Sequence, residues 1–318
     1  MGVSTEMETM IDASVVICAY TMDRWDDLNA AVDSARRQTR PAREIIVVVD
    51  NNDVLLERAK REIDGAVVAP NTNVRGLSGG RMTGAELASA PVIAFLDDDA
   101  IADECWLEEL LAGYENDRVL GVGGRIEPLW RVPRPWWFPL EFDWVVGCTY
   151  QGMRIHNGQI DRMIGANMSV RADVLHGSGG FPFPHLGRDG GRADDTEFCI
   201  RAARLYGGVW MYRPRASVKH VVTAERATWK YFLRRCRMEG DSKAVLTDLA
   251  GSKDGLRSER RYVLILAQSI FRYIRTGKVG WVMAICVGLA ITTITYGRAR
   301  LAHAIQARRG MIYGSPSD

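Results

Sequence analysis

A chain of 318 residues that is 47% hydrophobic and 25% charged can bury a large core, which excludes a disordered segment or a small stapled scaffold. Its six cysteines, Cys18, Cys105, Cys148, Cys199, Cys236 and Cys286, form no CxxC pair, so a disulfide framework and a zinc ribbon are excluded and small core residues are expected. The net charge of +2 is unevenly spread: between Arg226 and Arg309, 17 Lys and Arg face 5 Asp and Glu, a surplus of +12 that leaves −10 on the rest. A basic tail calls for an anionic partner, such as a phosphate-bearing substrate or a membrane surface, and the acidic body opposes nucleic acid.

Met1 to Asp12 lacks the basic start and apolar run of a secretory signal, and predicts a cytosolic start. The next hundred residues alternate short apolar runs with polar helical stretches. Ser14 to Tyr20, Glu44 to Asp50, Ala66 to Ala69 and Val92 to Asp97 predict buried strands, because each is short, apolar and partly β-branched. Asp26 to Gln38, Asp53 to Glu62 and Gly79 to Ala88 predict helices. This alternation predicts an α/β fold with a Rossmann-like, mostly parallel sheet flanked by helices. Ligands of such sheets collect at the C-terminal ends of the strands, here Tyr20 to Asp23, Asp50 to Asp53 and Asp97 to Asp99.

Further along, the Trp- and Pro-rich run from Pro128 to Tyr150 predicts a loop or flap, with Trp130, Trp136, Trp137 and Trp144 covering an acceptor, dipping into a membrane interface or packing on the core. Asp194 to Leu205 predicts a helix with acids in its first turn, where the helix dipole favours them. Val279 to Gly297 gives 19 residues without a charge between Lys278 and Arg298, long enough for a monotopic, spanning or partner-facing helix.

Four clusters can carry chemistry. Asp97, Asp98 and Asp99 follow the apolar strand directly, and three adjacent carboxylates become compatible around a hard cation such as Mg²⁺ or Mn²⁺. Asp97 and Asp99 are expected on one side, with Asp98 on the other; a solvated turn capping a helix near Asp103 is the plainer reading. Asn71 to Ala85 runs through glycines 76, 79, 80 and 84, where Arg75 and Arg81 can meet phosphate oxygens or the glycines can simply serve packing. Asp194, Asp195 and Glu197 gather at a helix start, either as caps or as a source of a general base. His220 closes a β-like run, as a structural residue or a minority metal ligand. Arg234, Arg235 and Arg237, behind Tyr231 and Phe232, form either an exposed basic face or a clamp for a leaving diphosphate or acceptor phosphate.

Taken in order, VVICAYTMDR, VVVDNND, NVRGLSGGRMTGAELASAPVIAFLDDDA, GANMSVRADVL and DDTEFCIR resemble the family 2 glycosyltransferases of GT-A fold, over about residues 14 to 240. The resemblance implies an inverting enzyme that moves a sugar from a nucleoside-diphosphate sugar, most often a UDP-sugar. It implies that Ala19, Tyr20, Asp50 and Asn52 hold the base. Arg81 then matches the basic position of the glycine-rich helix, and Asp97 and Asp99 the DXD pair for ribose, metal and diphosphate. Asp195 matches the second acid of the family's ED pair, the general base, with Asp194 replacing the commoner Glu. His220 matches a third metal ligand. Arg234 and Arg235 are only loosely similar to the QxxRW element of processive synthases, whose Gln and Trp are missing, which implies addition of a single sugar.

The expected organisation is a flexible 1–13, a nucleotide-sugar half 14–125, an acceptor half 126–225 carrying the catalytic acid, and a basic helical tail 226–318. With that tail, a glycan or lipid-linked acceptor and a place on the cytoplasmic side of a membrane are expected, peripheral or with one C-terminal membrane helix. Two other readings suit parts of the pattern: an aspartyl-phosphate-type hydrolase, which leaves RGLSGGR unexplained, and a non-catalytic nucleotide-sugar-binding module.

Overall fold

The computed structural model describes residues 11–153, 156–181, 194–250 and 257–308. The chain divides into two compact units: residues 1–125, 156–180 and 202–218 form the first, and 126–155, 181–201 and 219–318 the second.

The first unit holds the sheet. Strands β1 (Ala13–Ala19), β2 (Glu44–Val49), β3 (Val67–Pro70) and β4 (Val92–Asp97) pair in parallel in the order β3-β2-β1-β4, with Val16 opposite Ile46 on one side and Phe95 on the other. Crossover helices α1 (Trp25–Arg36), α2 (Asp53–Glu62) and α3 (Leu77–Leu87) join them, as the alternation predicts. Core residues of β1, β2 and β4 are fully buried in unbroken apolar runs, the pattern of strands covered on both faces. After β4 come β5 (Ala100–Ala102) and α4 (Trp106–Leu111), so the acidic turn leads into a short strand, and the helix expected near Asp103 begins three residues later.

Beyond β4 the sheet becomes antiparallel. β8 (Asn167–Arg171) pairs with β4 and with β6 (Val119–Trp130), and β7 (Gly158–Ile160) pairs with β9 (Val209–Val222). The strand order is β3-β2-β1-β4-β8-β6-β9-β5. α5 (Ala172–Gly177) follows β8, and α6 (Asp194–Tyr206) precedes β9.

The second unit corrects the flap expectation. β6 runs on to Trp130, and Leu140–Val146 forms a 3-10 segment. Phe138 and Phe142 are fully buried and pack against Phe232 of α7 (Trp229–Ala250), while Trp137 meets Trp229 edge to face at 4.5 Å. The aromatic run is therefore core: several large rings supply the apolar area that an irregular backbone needs to stay ordered. Trp136 alone among its tryptophans is largely exposed, at 74%. α8 (Arg257–Arg275) and α9 (Val279–Arg308) complete the unit. The expectation of core cysteines holds for Cys148, Cys199 and Cys236 but fails for Cys286, which is exposed on α9.

Candidate active site

At the ends of the parallel strands the first unit assembles a polar crescent. Asp50, just past β2, is fixed twice: its Oδ1 accepts from Asn71 Nδ2 at 2.6 Å and its Oδ2 from the Gly76 amide at 3.0 Å. Gly76 has φ of 119°, which favours glycine, and it opens α3. Asn52 caps α2 by accepting from the Leu55 amide at 3.0 Å, and its Nδ2 donates to the Tyr20 carbonyl at 3.1 Å. Tyr20 is half exposed at the end of β1, with the Arg24 guanidinium 5.3 Å from its ring, and Ala19 behind it is buried.

α3 lies unusually close to the sheet. A Cβ on Gly80 would come within 3.3 Å of Cys18 Sγ, and one on Gly84 within 2.3 Å of Val16 Cγ1. Gly80 and Gly84 thus serve close helix–sheet approach here, and Arg81 between them, itself buried, reaches Asp97 Oδ1 with Nη2 at 3.1 Å. Arg75 stays exposed on the loop.

In the acidic turn, Asp97 and Asp99 bring carboxylate oxygens within 4.8 Å of each other, in keeping with the expected alternation. Arg24 Nη1 lies 2.8 Å from Asp98 Oδ1 and 3.2 Å from Asp99 Oδ2, so one arginine serves both acids, and Asp97 is served by another. Asp98 and Asp99 are nearly fully buried, and the Oδ2 of Asp98 has no hydrogen-bond partner. Burial, with the charges of Asp99 and Asp97, overcomes Arg24 and pushes the Asp98 carboxyl up to about 7. Asp97 and Asp99, beside an Asp98 oxygen that has no partner, form an oxygen-rich group suited to a hard cation.

In the second unit, Asp195 stands in the first turn of α6, partly exposed, its Oδ1 accepting from the Thr196 amide at 2.7 Å. Asp194 beside it is buried, and Glu197 is paired with Arg201 at 2.8 Å. His220 lies on β9, buried, with Nδ1 4.0 Å from Cys148 Sγ and its ring against Gly147. Arg235 spends its Nε on the Val145 carbonyl at 2.9 Å, a packing role, whereas Arg234 is exposed and lies over the Tyr231 ring. Arg192, at the head of the RADDTEFCIR run, lies outside the described residues.

Ala19, Tyr20, Asp50, Asn52, Arg75, Asp97 and Asp99 thus belong to the first unit, at strand ends or the loops that leave them, with Arg81 on α3 of the same unit, and Asp195, His220, Arg234 and Arg235 belong to the second. Two residues escaped the sequence reading. Arg24 sits in the first helical turn after β1 and carries no signal of its reach to an acid 74 residues away. Asn167 ties three segments: its Oδ1 accepts from Trp106 Nε1, and its Nδ2 donates to the carbonyls of Arg125 and Ala216, each at 2.8 Å. The motif GANMSVR, which contains Asn167, was the available signal.

Comparison with known proteins agrees with this architecture. Residues 14–178 match the family model "Glycosyl transferase family 2". The chain is 35% identical over 240 residues to the glucosyl-dolichyl phosphate glucuronosyltransferase of Haloferax volcanii, covering 73% of this chain and 76% of that protein. It is 36% identical over 121 residues to polypeptide N-acetylgalactosaminyltransferase 11 of Xenopus tropicalis, covering 34% of this chain and 20% of that one. A crystal structure of GalNAc-T7 with UDP, GalNAc and Mn²⁺ superposes with a TM-score of 0.55 at 20% identity, over 75% of this chain and 48% of that one, which shows the same GT-A fold. The ordered motifs, the mixed sheet with its acidic turn after β4 and the match over more than two thirds of a curated relative together place this chain in glycosyltransferase family 2, as a hexosyltransferase-type enzyme.

Proposed function

We propose that the chain transfers one sugar, with inversion, from a UDP-sugar to a hydroxyl of a lipid-linked glycan acceptor on the cytoplasmic side of a membrane. The observation that carries the reading is the acidic turn at the end of β4, where Asp97 and Asp99 are each held by an arginine beside a fixed Asp50 loop. Such a strand end is built to receive a ligand that brings its own positive charge, as a nucleoside diphosphate with a metal ion does. The Haloferax volcanii relative, named for a glucosyl-dolichyl phosphate, supports a lipid-linked acceptor.

In this reading Tyr20 and Asn52 frame the base and Asp50 receives a donor N–H from it. Asp97 and Asp99 would hold Mn²⁺ or Mg²⁺, with His220 as the further ligand that the family resemblance implies. When bound, the cation supplies charge neutralisation for the departing diphosphate. Arg81 holds Asp97 in place through their 3.1 Å contact, and exposed Arg75 and Arg234 can approach phosphate oxygens. Asp195, partly exposed on the first turn of α6, accepts the proton of the acceptor hydroxyl as that oxygen attacks the anomeric carbon.

The test is release of nucleoside diphosphate by the purified protein over a panel of nucleotide sugars, with a short prenyl-phosphate-linked sugar as acceptor, in Mn²⁺, in Mg²⁺ and in EDTA. Metal-dependent release with one donor, accompanied by a product of inverted anomeric configuration, is expected. Absence of release with every donor, and of metal-dependent donor binding by calorimetry, would sink the proposal.

A further inference from the structure

The second unit carries a helix, Val279–Ile305 within α9, that is long and apolar enough to cross a membrane. Its packing points to a different use. α9 lies along α7 for more than four turns in constant register: Gly288 sits against the Phe232 ring, Thr292 Oγ1 donates to the Cys236 carbonyl at 3.1 Å, Gly240 meets the Thr292 backbone, and Asp248 pairs with both Arg300 and His303. Over that same stretch α7 carries Arg234, Arg235, Arg237, Glu239, Asp241 and Lys243. If α9 crossed a bilayer in this packing it would draw those charges toward hydrocarbon, and if it crossed alone it would forfeit the Asp248 pairs and the close glycine contact.

The outward side of α9 tells the other half. Val279, Met283, Cys286, Ala290, Ile294 and Leu301 are all exposed and fall near one face of the helix. α8 adds a second apolar stripe, with Leu264, Phe271 and Ile274 each more than 60% exposed, over a buried side formed by Leu266, Ser269 and Tyr273. Exposed Arg261, Arg275 and Lys278 flank these stripes, and none of the three has a carboxylate within ion-pair distance among the described residues. Where α8 hands over to α9, a cleft of about 400 Å³ is lined by Arg134, Trp136, Lys278 and Trp281, with Lys278 Nζ 4.2 Å from the Trp281 ring and Trp281 Nε1 bonded to the Trp136 carbonyl. Indoles beside cations at the edge of an apolar surface are the composition found at headgroup depth.

We propose that α8 and the outward face of α9 dock the second unit on an anionic lipid leaflet, with α9 lying along the surface and not across it. Charge selects the occupant: an apolar face rimmed by exposed cations fits a lipid surface that is both hydrophobic and negative, and fits a second copy of the same cationic rim poorly. The docking rests on the cytoplasmic placement proposed above but not on sugar transfer, and its test uses no sugar donor.

The full chain, tagged at both ends, is expressed and the membranes are isolated as inside-out vesicles. External protease is expected to remove both tags; loss of the N-terminal tag with protection of the C-terminal one means a spanning helix and overturns the proposal. Purified protein is then mixed with phosphatidylcholine vesicles with and without phosphatidylglycerol. Binding is expected only with phosphatidylglycerol and is weakened by salt, and Lys278→Glu reduces it by more than fivefold, each basic group near an anionic surface giving about fivefold. A double variant at exposed positions, Leu264→Ser with Phe271→Ser, lowers partition without shifting the melting temperature. Equal binding to both vesicle types, or no binding together with a dimer by mass that the double variant dissolves, overturns it and assigns the face to a neutral surface or a second copy.

Discussion

Arg81 Nη2 meets Asp97 Oδ1 at 3.1 Å in space that Gly165 leaves open, because a Cβ there would lie 2.5 Å from Arg81 Nη1. Gly165→Ala therefore pushes the guanidinium off Asp97 while displacing only the far end of a flexible side chain. Donor affinity is expected to fall about tenfold, with unfolding free energy changed by less than about 1 kcal/mol. Calorimetric donor titration beside urea unfolding checks this; unchanged affinity would remove Arg81 from the donor site.

Asp195→Asn keeps size and capping ability but cannot accept a proton. Sugar transfer is expected to drop on the order of a thousandfold with donor affinity within about twofold of the parent, the mark of a lost general base. Steady-state kinetics with a donor-binding measurement decides it, and transfer retained in the variant would move the base elsewhere.

Removal of metal should act through the acidic turn. Mn²⁺ is expected to raise the melting temperature of the parent and to leave Asp99→Asn unmoved, since linkage stabilises only a fold that binds the ligand. A shift of equal size in both proteins, followed by scanning fluorimetry over a metal titration, would place the ion at other groups.

A further expectation concerns Glu141, fully buried beside α8. Tyr273 Oη donates to its Oε1 at 3.0 Å and Arg272 Nη2 approaches the same oxygen at 3.2 Å. Burial and the Glu141 charge push the Tyr273 phenol up to about 12. Glu141→Ala removes the acceptor of the buried Tyr273 hydroxyl while Arg272 keeps solvent and Tyr273, and a loss of about 1 to 3 kcal/mol is expected in urea unfolding. Tyr273→Phe, which removes one donor and leaves the arginine, should cost less.

Asp143, paired with Arg134, is pushed from the ordinary 3.8 up to about 6 because burial outweighs the arginine. A carboxyl whose folded pKa lies above its unfolded value favours the fold while protonated. Its contribution is complete below about pH 4 and is lost as pH rises through about 6. Urea midpoints measured from pH 4 to pH 7 should therefore fall more steeply in the parent than in Asp143→Asn over that window, and parallel profiles would contradict the assignment.

Much of this was legible in the sequence because the signals are local. Apolar β-branched runs located the parallel strands to within a residue or two, and the acids at the ends of VVVD and FLDDD fall at the strand ends where the donor is proposed to bind, since strand direction dictates which end carries them. The family followed from the order of five motifs. What the sequence concealed depends on distance along the chain. No local pattern reports that Arg24 serves Asp98 and Asp99, that Asn167 ties Trp106 to two carbonyls, or that Phe138 and Phe142 meet Phe232 to turn a Pro- and Trp-rich run into core. An apolar stretch such as that beginning at Val279 reads alike whether it crosses a bilayer or lies along α7, because hydropathy counts side chains and not their neighbours. Only the register that sets Thr292 on Cys236 and His303 on Asp248 separates the two, and that register is a property of packing.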